Sequence, residues 1–242
     1  MKRYKVNIVK PASLKTASVL ITGFHGYGAV GYLATRYTVS KLSMELVGFI
    51  ETPMVVDFTS IEDYGFSKPH EIFMKQLDNI GVVALLNRVN PDRRFMVSYI
   101  KAFVNVVKML NVEEVFLIGG LDVRFRENKE EFRWLKTKWS KRSLDAPYFM
   151  KGAYIVGPLA SLLLALEEHG IPALAIFPYT EPESIDHRAA ASAIRVVSSI
   201  LNIYIDISEL VSYAEKIEEM EKLIQSMQLQ QSAEKKESVM HT

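Results

Sequence analysis

The stretch from Ala17 to Glu51 restricts the fold of this chain more than any other. A short apolar run, Val19 to Thr22, ends in Gly23-Phe-His-Gly-Tyr-Gly-Ala-Val-Gly31. The glycines open directly into Val30, Leu33, Ala34, Tyr37, Thr38 and Leu42, which recur at helical spacing. A second apolar run follows from Leu46 to Ile50. Strand, tight turn, helix, strand is how an α/β domain with a mostly parallel sheet begins. Gly26, Gly28 and Gly31 also satisfy the G-x-G-x-x-G spacing. Glu51 stands roughly where a dinucleotide fold places the acid that binds ribose. Two readings are open. The turn holds a pyrophosphate at a helix N-terminus, or it is a tight strand-to-helix turn with no ligand. Phe24, His25 and Tyr27 are bulky for a phosphate turn and favour the second.

The rest of the chain continues the alternation. Residues 4–9 read as an edge strand that Pro11 ends. Val55 to Phe58 reads as a strand or an extended loop, and residues 59–70 as a surface loop or hairpin. A short strand is expected at Glu71 to Lys75 and a buried one at Gly81 to Leu86. Pro91 sits near the start of a helix reaching about Leu110, whose apolar face is Met96, Ile100, Phe103, Val104, Val107 and Leu110. Val115 to Gly120 repeats the opening theme of a strand ending in glycines. A helix follows Pro158 and is capped by Gly170, then comes a strand at Pro172 to Phe177. A helix from Glu183 to Leu201 carries the small residues Ala189 to Ala193.

Two segments stand apart. Residues 122–151 mix basic and acidic side chains with Phe125, Phe132, Trp134 and Trp139. They read as an excursion from the sheet, helical in part between Glu127 and Ser140, with aromatics available to a protein partner. Residues 208–231 read as an amphipathic helix capped by Ser208. Its stripe of Leu210, Ala214, Ile217, Met220, Ile224 and Met227 needs burial, and a second copy of the chain is the expected cover. The domain plan is thus a three-layer α/β core over residues 1–207, an oligomerisation helix over 208–231, and a polar, disordered tail over 232–242.

The chemical inventory is short. A net charge of +1 gives no case for nucleic acid or a membrane surface. The absence of cysteine removes disulfides, thiolate metal sites and a cysteine nucleophile, and fits a cytoplasmic protein. No H-E-x-x-H, phosphate-loop or nucleophile-elbow pattern occurs. His25 could serve as a base by its pKa, but no spacing ties Asp57, Asp63 or Asp122 to it. No catalytic residue, cofactor or metal is assigned. Gly23, His25, Gly26, Gly28, Gly31 and Glu51 remain a candidate ligand site.

Taken together, several stretches resemble the proteasome assembly chaperone family in its archaeal branch. They are Ile21 to Ala34, Leu46 to Phe49, Val115 to Leu121, Gly157 to Leu163 with Gly170 to Ala173, and Asp186 to Ala190. The resemblance implies an α/β fold reminiscent of nucleoside phosphorylases, without established catalytic chemistry. It also implies oligomers that help proteasome α subunits assemble. Some members carry a C-terminal hydrophobic-Tyr-any tripeptide, whereas this sequence ends Met240-His-Thr242. The expected function is therefore a non-enzymatic, oligomeric, chaperone-like protein. Its expected partners are itself, a second family member and proteasome α subunits. A nucleotide- or nucleoside-binding enzyme and a homo-oligomeric scaffold for another client are the alternatives.

Overall fold

The computed structural model describes residues 3–10 and 18–220. Pro11, Ile224, Met227 and the tail lie outside the described residues. The core is one sheet with helices on both faces. Its strands are β1 (Lys5–Ile8), β2 (Ser18–Gly23), β3 (Glu45–Glu51), β6 (His70–Gln76), β7 (Gly81–Asn87), β8 (Val112–Ile118), β9 (Leu121–Asp122), β10 (Phe132–Lys136) and β11 (Ala173–Thr180). Two very short strands, β4 (Ile61–Glu62) and β5 (Gly65–Phe66), form a separate hairpin. The sheet order is β1-β3-β6-β7-β2-β8-β11-β10, with β9 added beside β11. The central strands β7, β2, β8 and β11 are parallel, and antiparallel strands flank them on both sides.

This order follows from the side chains. Along β2, Leu20 enters one core cluster while Val19 and Ile21 enter the other. In β8, Val115 and Leu117 likewise oppose Phe116 and Ile118. Strands buried on both faces must read as continuous apolar runs, and they take the centre. β3 begins and ends in exposed glutamates, and it lies nearer the edge.

Helices α1 (Val30–Lys41) and α4 (His187–Leu201) cover one face, and α2 (Met96–Met109) and α3 (Gly157–Glu168) cover the other. The run Ala189 to Ala193 is buried, and its small side chains let α4 lie close to both α1 and the sheet. Asp186, rather than a residue near Glu183, caps α4 by accepting from the Ala189 amide at 2.8 Å. Residues 208–220 are helical and continue past α4.

The segment after β9 differs from its helical expectation. Phe132–Lys136 is a strand, antiparallel to β11. Phe132 and Trp134 pack into the cluster beneath α1 and α4, while Leu135 joins the opposite one. That is a period of two, not 3.6. Residues 147–149 then run along the outer side of β10, with the Phe149 amide donating to the Trp134 carbonyl at 2.7 Å. Charged residues on a strand near the sheet edge obscure this alternation in the sequence.

Candidate functional site

The carboxyl ends of the parallel strands are where open α/β sheets place ligands. In this chain the glycine turn occupies that position, so each of its residues can be assigned a physical role. Gly23 and Gly31 touch. A Cβ on Gly31 would fall 2.3 Å from the Ile118 carbonyl oxygen and 2.8 Å from the Phe24 nitrogen. Gly31 thus lets α1 approach the ends of β2 and β8. Gly28 has φ of +61° and faces Thr180, whose Oγ1 would lie 2.1 Å from an added Cβ. At Gly26 an added Cβ would meet nothing within 4 Å, and φ there is negative.

The amides of the turn are largely spent within the chain. His25 donates to Asn90 Oδ1 at 3.2 Å, Gly26 to the Phe24 carbonyl, Ala29 to the Gly26 carbonyl and Tyr32 to the Phe24 carbonyl. Val30 donates to the Tyr27 carbonyl. The Gly28 carbonyl accepts from the Asp186 amide at 2.9 Å, which ties the start of α4 to the turn. A phosphate cradle needs such amides pointing at the ligand; here five of them point at protein acceptors.

The acid of the dinucleotide reading is not at hand. Glu51 ends β3, which is separated from β2 by β6 and β7. Three strand spacings amount to about 14 Å. Glu51 is exposed and accepts from Asn7 Nδ2 at 3.4 Å. The physical reason is that β3 joins the antiparallel β6–β7 pair instead of lying beside β2.

His25 stacks on Tyr32, with ring centroids 4.0 Å apart and planes 26° from parallel. Asn90 brackets it, donating from Nδ2 to the His25 carbonyl at 2.8 Å. Desolvation moves the imidazole below the usual histidine range, opposed by a hydrogen bond to the Arg88 backbone. Asp122 instead caps the turn after β9 and pairs with Arg124. Among the described residues there is no group of three or more side chains able to hold a metal ion.

Beneath the turn lies a buried polar network that no sequence pattern indicates. Asn87 ends β7 and is fully buried. Its Nδ2 donates to the Gly23 carbonyl (3.1 Å) and Thr22 Oγ1 (3.0 Å), and Thr22 donates to the Leu85 carbonyl (2.7 Å). Because a carbonyl can only accept, the amide orientation is set. Asn87 Oδ1 then accepts from the Tyr99 hydroxyl (2.7 Å) and from His70 Nδ1 (2.9 Å). His70 therefore carries a proton on Nδ1, and its buried Nε2 has no hydrogen-bond partner, which disfavours a second one. Burial pushes the imidazole down to about 4. The one trace in the sequence is an asparagine closing an otherwise apolar run.

A second network holds the loop between β3 and β6. Glu71 is buried and accepts from Arg88 Nε (2.7 Å), the Tyr64 hydroxyl (2.9 Å) and the Lys68 amide (2.8 Å). Arg88 reaches on to Glu62 at 2.9 Å. The β4–β5 hairpin is thus clamped to the sheet from below. The outer surface of this loop is apolar: Val55, ahead of the hairpin, is 96% exposed, and the directly paired Ile61 (84%) and Phe66 (66%) lie side by side in solvent. Tyr27, Phe125 and Ile185, from the other loops at these strand ends, are exposed as well.

The four aromatics of the 122–151 segment part company. Trp134 is 5% exposed, with Nε1 donating to the Ala146 carbonyl at 2.9 Å, and Phe132 is half-buried beside it. Both belong to the core, which corrects their placement on an outer surface. Phe125 is exposed, and Trp139 is 45% exposed beside the end of α3. In the last helix, Leu210 and Ala214 are buried by this chain itself, whereas Ile217 is half-buried and Met220 is exposed.

Such an arrangement defines a class: an α/β scaffold whose strand ends are sealed by its own backbone and rimmed by apolar loops. Residues 20–225 match the model of the PAC2 family, and the chain belongs to that family. No curated protein matches the sequence. Among solved structures, the chain is similar to Pyrococcus furiosus PbaB, an archaeal proteasome activator, at 17% identity. That match covers 93% of this chain and 100% of the other, with a TM-score of 0.76. It is similar to Pyrococcus furiosus PbaA, an archaeal homolog of proteasome-assembly chaperone, at 22% identity over 98% and 99% of the two chains, TM-score 0.75. A PAC2 family protein from Streptomyces avermitilis matches at 15% identity over 83% and 92%, TM-score 0.66. At these identities the likeness is one of fold.

Proposed function

We propose that the protein is a non-enzymatic, oligomeric, chaperone-like scaffold of the cytoplasm that assists assembly of the proteasome or of another protein complex. One observation carries the reading. At the strand ends, where an α/β enzyme would bind a small molecule, five of the turn amides are engaged by protein acceptors, and the loops around them turn large apolar side chains outward. Exposed apolar surface of that extent suits a protein partner. Family membership and the likeness to PbaA and PbaB support proteasome α subunits as the first client to test. In this reading the last helix serves self-association, and a second family member is a further partner to test.

Co-expression with α subunits, followed by size exclusion and light scattering, tests the assignment. The expected result is co-elution and faster appearance of assembled rings. Failure to co-elute, together with a saturable heat on titration with nucleotides or nucleosides, would replace it with the enzyme reading.

A further inference from the structure

Three of the four helices on the sheet turn charge toward solvent. Arg36 of α1, Lys101 and Lys108 of α2, and Arg188 and Arg195 of α4 are all exposed. That is the pattern of a solvated helix face. Helix α3 departs from it, because residues 152–166 include no charged side chain. Leu159, Leu162 and Leu166 bury one side of α3 in the core, and Leu163 packs against them. The opposite side is apolar as well and is left in solvent. Leu164 is 65% exposed. Tyr154 (91%) and Val156 (67%) extend that surface ahead of the helix, while Ile155 between them packs inward. A helix that is apolar all round is ordinarily covered all round.

Shape and charge indicate what covers it. Gly157, Ala160, Ser161, Leu164 and Glu168 follow one another at steps of one, three and four and share one face. Leu164 projects from it. At the other end Gly157 has no side chain, and an added Cβ there would meet nothing within 4 Å. Two copies of this face running antiparallel, centred between Ala160 and Ser161, set Leu164 of each over the open space at Gly157 of the other. The small residues at the centre let the helices approach closely. Exposed Lys151 precedes the helix and exposed Glu168 ends it, while Glu167 is taken by Lys138 at 3.5 Å. The antiparallel pair turns Glu168 of each copy toward Lys151 of the other, and it sets each negative helix end beside a positive one. A parallel pair brings like charges together instead.

We propose that the outward face of α3, from Gly157 to Leu164 with Val156 beside it, is an antiparallel two-fold contact with the same face of a second copy. This contact rests on the self-association reading and goes beyond it, since it lies on the sheet face opposite the one that holds Leu210 of the last helix. A self-complementary patch of this kind is what a two-fold interface requires.

The chain has no cysteine, so single replacements report directly on the contact. Light scattering of the unmodified full-length chain comes first and is expected to give a dimer or a multiple of dimers. On mild oxidation, Ser161→Cys is expected to form a covalent dimer. Glu168→Cys is not, because the two copies of that residue lie about 22 Å apart along the helix pair. Leu164→Arg, at an exposed position, should keep the circular dichroism of the parent and weaken self-association at least tenfold. Glu168→Lys should weaken it too, and adding Lys151→Glu should restore it. An oligomer in which Ser161→Cys stays uncrosslinked, or whose affinity is unmoved by Leu164→Arg, overturns the α3 contact and leaves self-association standing. Crosslinking through Glu168→Cys in place of Ser161→Cys overturns the antiparallel direction. Loss of α-subunit binding by Leu164→Arg with self-association intact assigns the face to a different protein and overturns the second copy as its cover. A monomer at tens of micromolar overturns both the contact and the self-association reading.

Discussion

His70 Nδ1 donates to Asn87 Oδ1 across 2.9 Å in the fully buried layer beneath the glycine turn. The pair joins the start of β6 to the end of β7, and Asn87 passes the connection to Gly23 and Thr22 at the end of β2. This geometry favours a neutral imidazole, because a second N–H on the buried Nε2 would find no hydrogen-bond acceptor beside the packed rings of Tyr4 and Tyr99.

The sign of the pH effect follows. The folded-state pKa is about 4, below the ordinary value of 6.5, so the unfolded chain binds the extra proton first. Stability from this group is complete above pH 6.5 and is lost as pH falls from 6.5 to 4, by up to about 3 kcal/mol. Urea denaturation at several pH values should show this loss in the native sequence. His70→Phe should be flatter over the same window, and parallel curves for the two proteins would refute the assignment.

The two glycines of the turn should separate sharply. Gly31→Ala drives a Cβ into backbone atoms of Ile118, Phe24 and Gly23, none of which can rotate away. It should cost about 1–3 kcal/mol or more, as overpacking does. Gly26→Ala meets nothing and keeps a negative φ, so it should stay within about 0.5 kcal/mol of the parent. A nucleotide-binding turn would show its penalty in ligand affinity at both positions. Chemical denaturation of the two variants checks the packing account.

Removing one member of the Glu71–Arg88 pair should be costly. Arg88→Ala strands the buried Glu71 carboxylate and is expected to destabilise by about 3–5 kcal/mol. It should also free the hairpin, so that limited proteolysis cuts within residues 54–66. The double change Glu71→Gln with Arg88→Met removes both charges together and should recover much of the stability. Equal losses in the single and double variants would show that the ion pair is not what holds the hairpin.

Much of the scaffold was legible along the chain because its central strands are buried on both faces. Val19 to Thr22, Gly81 to Leu86, Val115 to Ile118 and Ala173 to Phe177 announce themselves as apolar runs. The helices that cover them were equally plain, from the spacing of Phe103 and Val107 or from the run at Ala189 to Ala193. Strand β10 was not legible, since its pairing with β11 is non-local and two of its five residues are charged. Nor was the place of Glu51, because strand adjacency is set by which runs need the centre of the sheet and not by chain order. His70, Asn87 and Tyr99 lie 12 and 17 residues apart and belong to three elements. Only folding brings their polar atoms within reach of one another.

The amino-acid sequence by itself determined the class of fold, the existence of a tight glycine turn after the first buried strand, and a final helix with apolar residues to hide. Local periodicity and glycine's freedom of backbone are enough for that, since both act over a few residues. The tertiary structure decided what those features do. Gly31 serves the packing of α1 on the ends of β2 and β8, Trp134 belongs to the core while Trp139 faces solvent, and the last helix has one edge taken by its own body. These outcomes depend on which surfaces meet across the sheet, and close packing between distant segments is information that no local pattern carries.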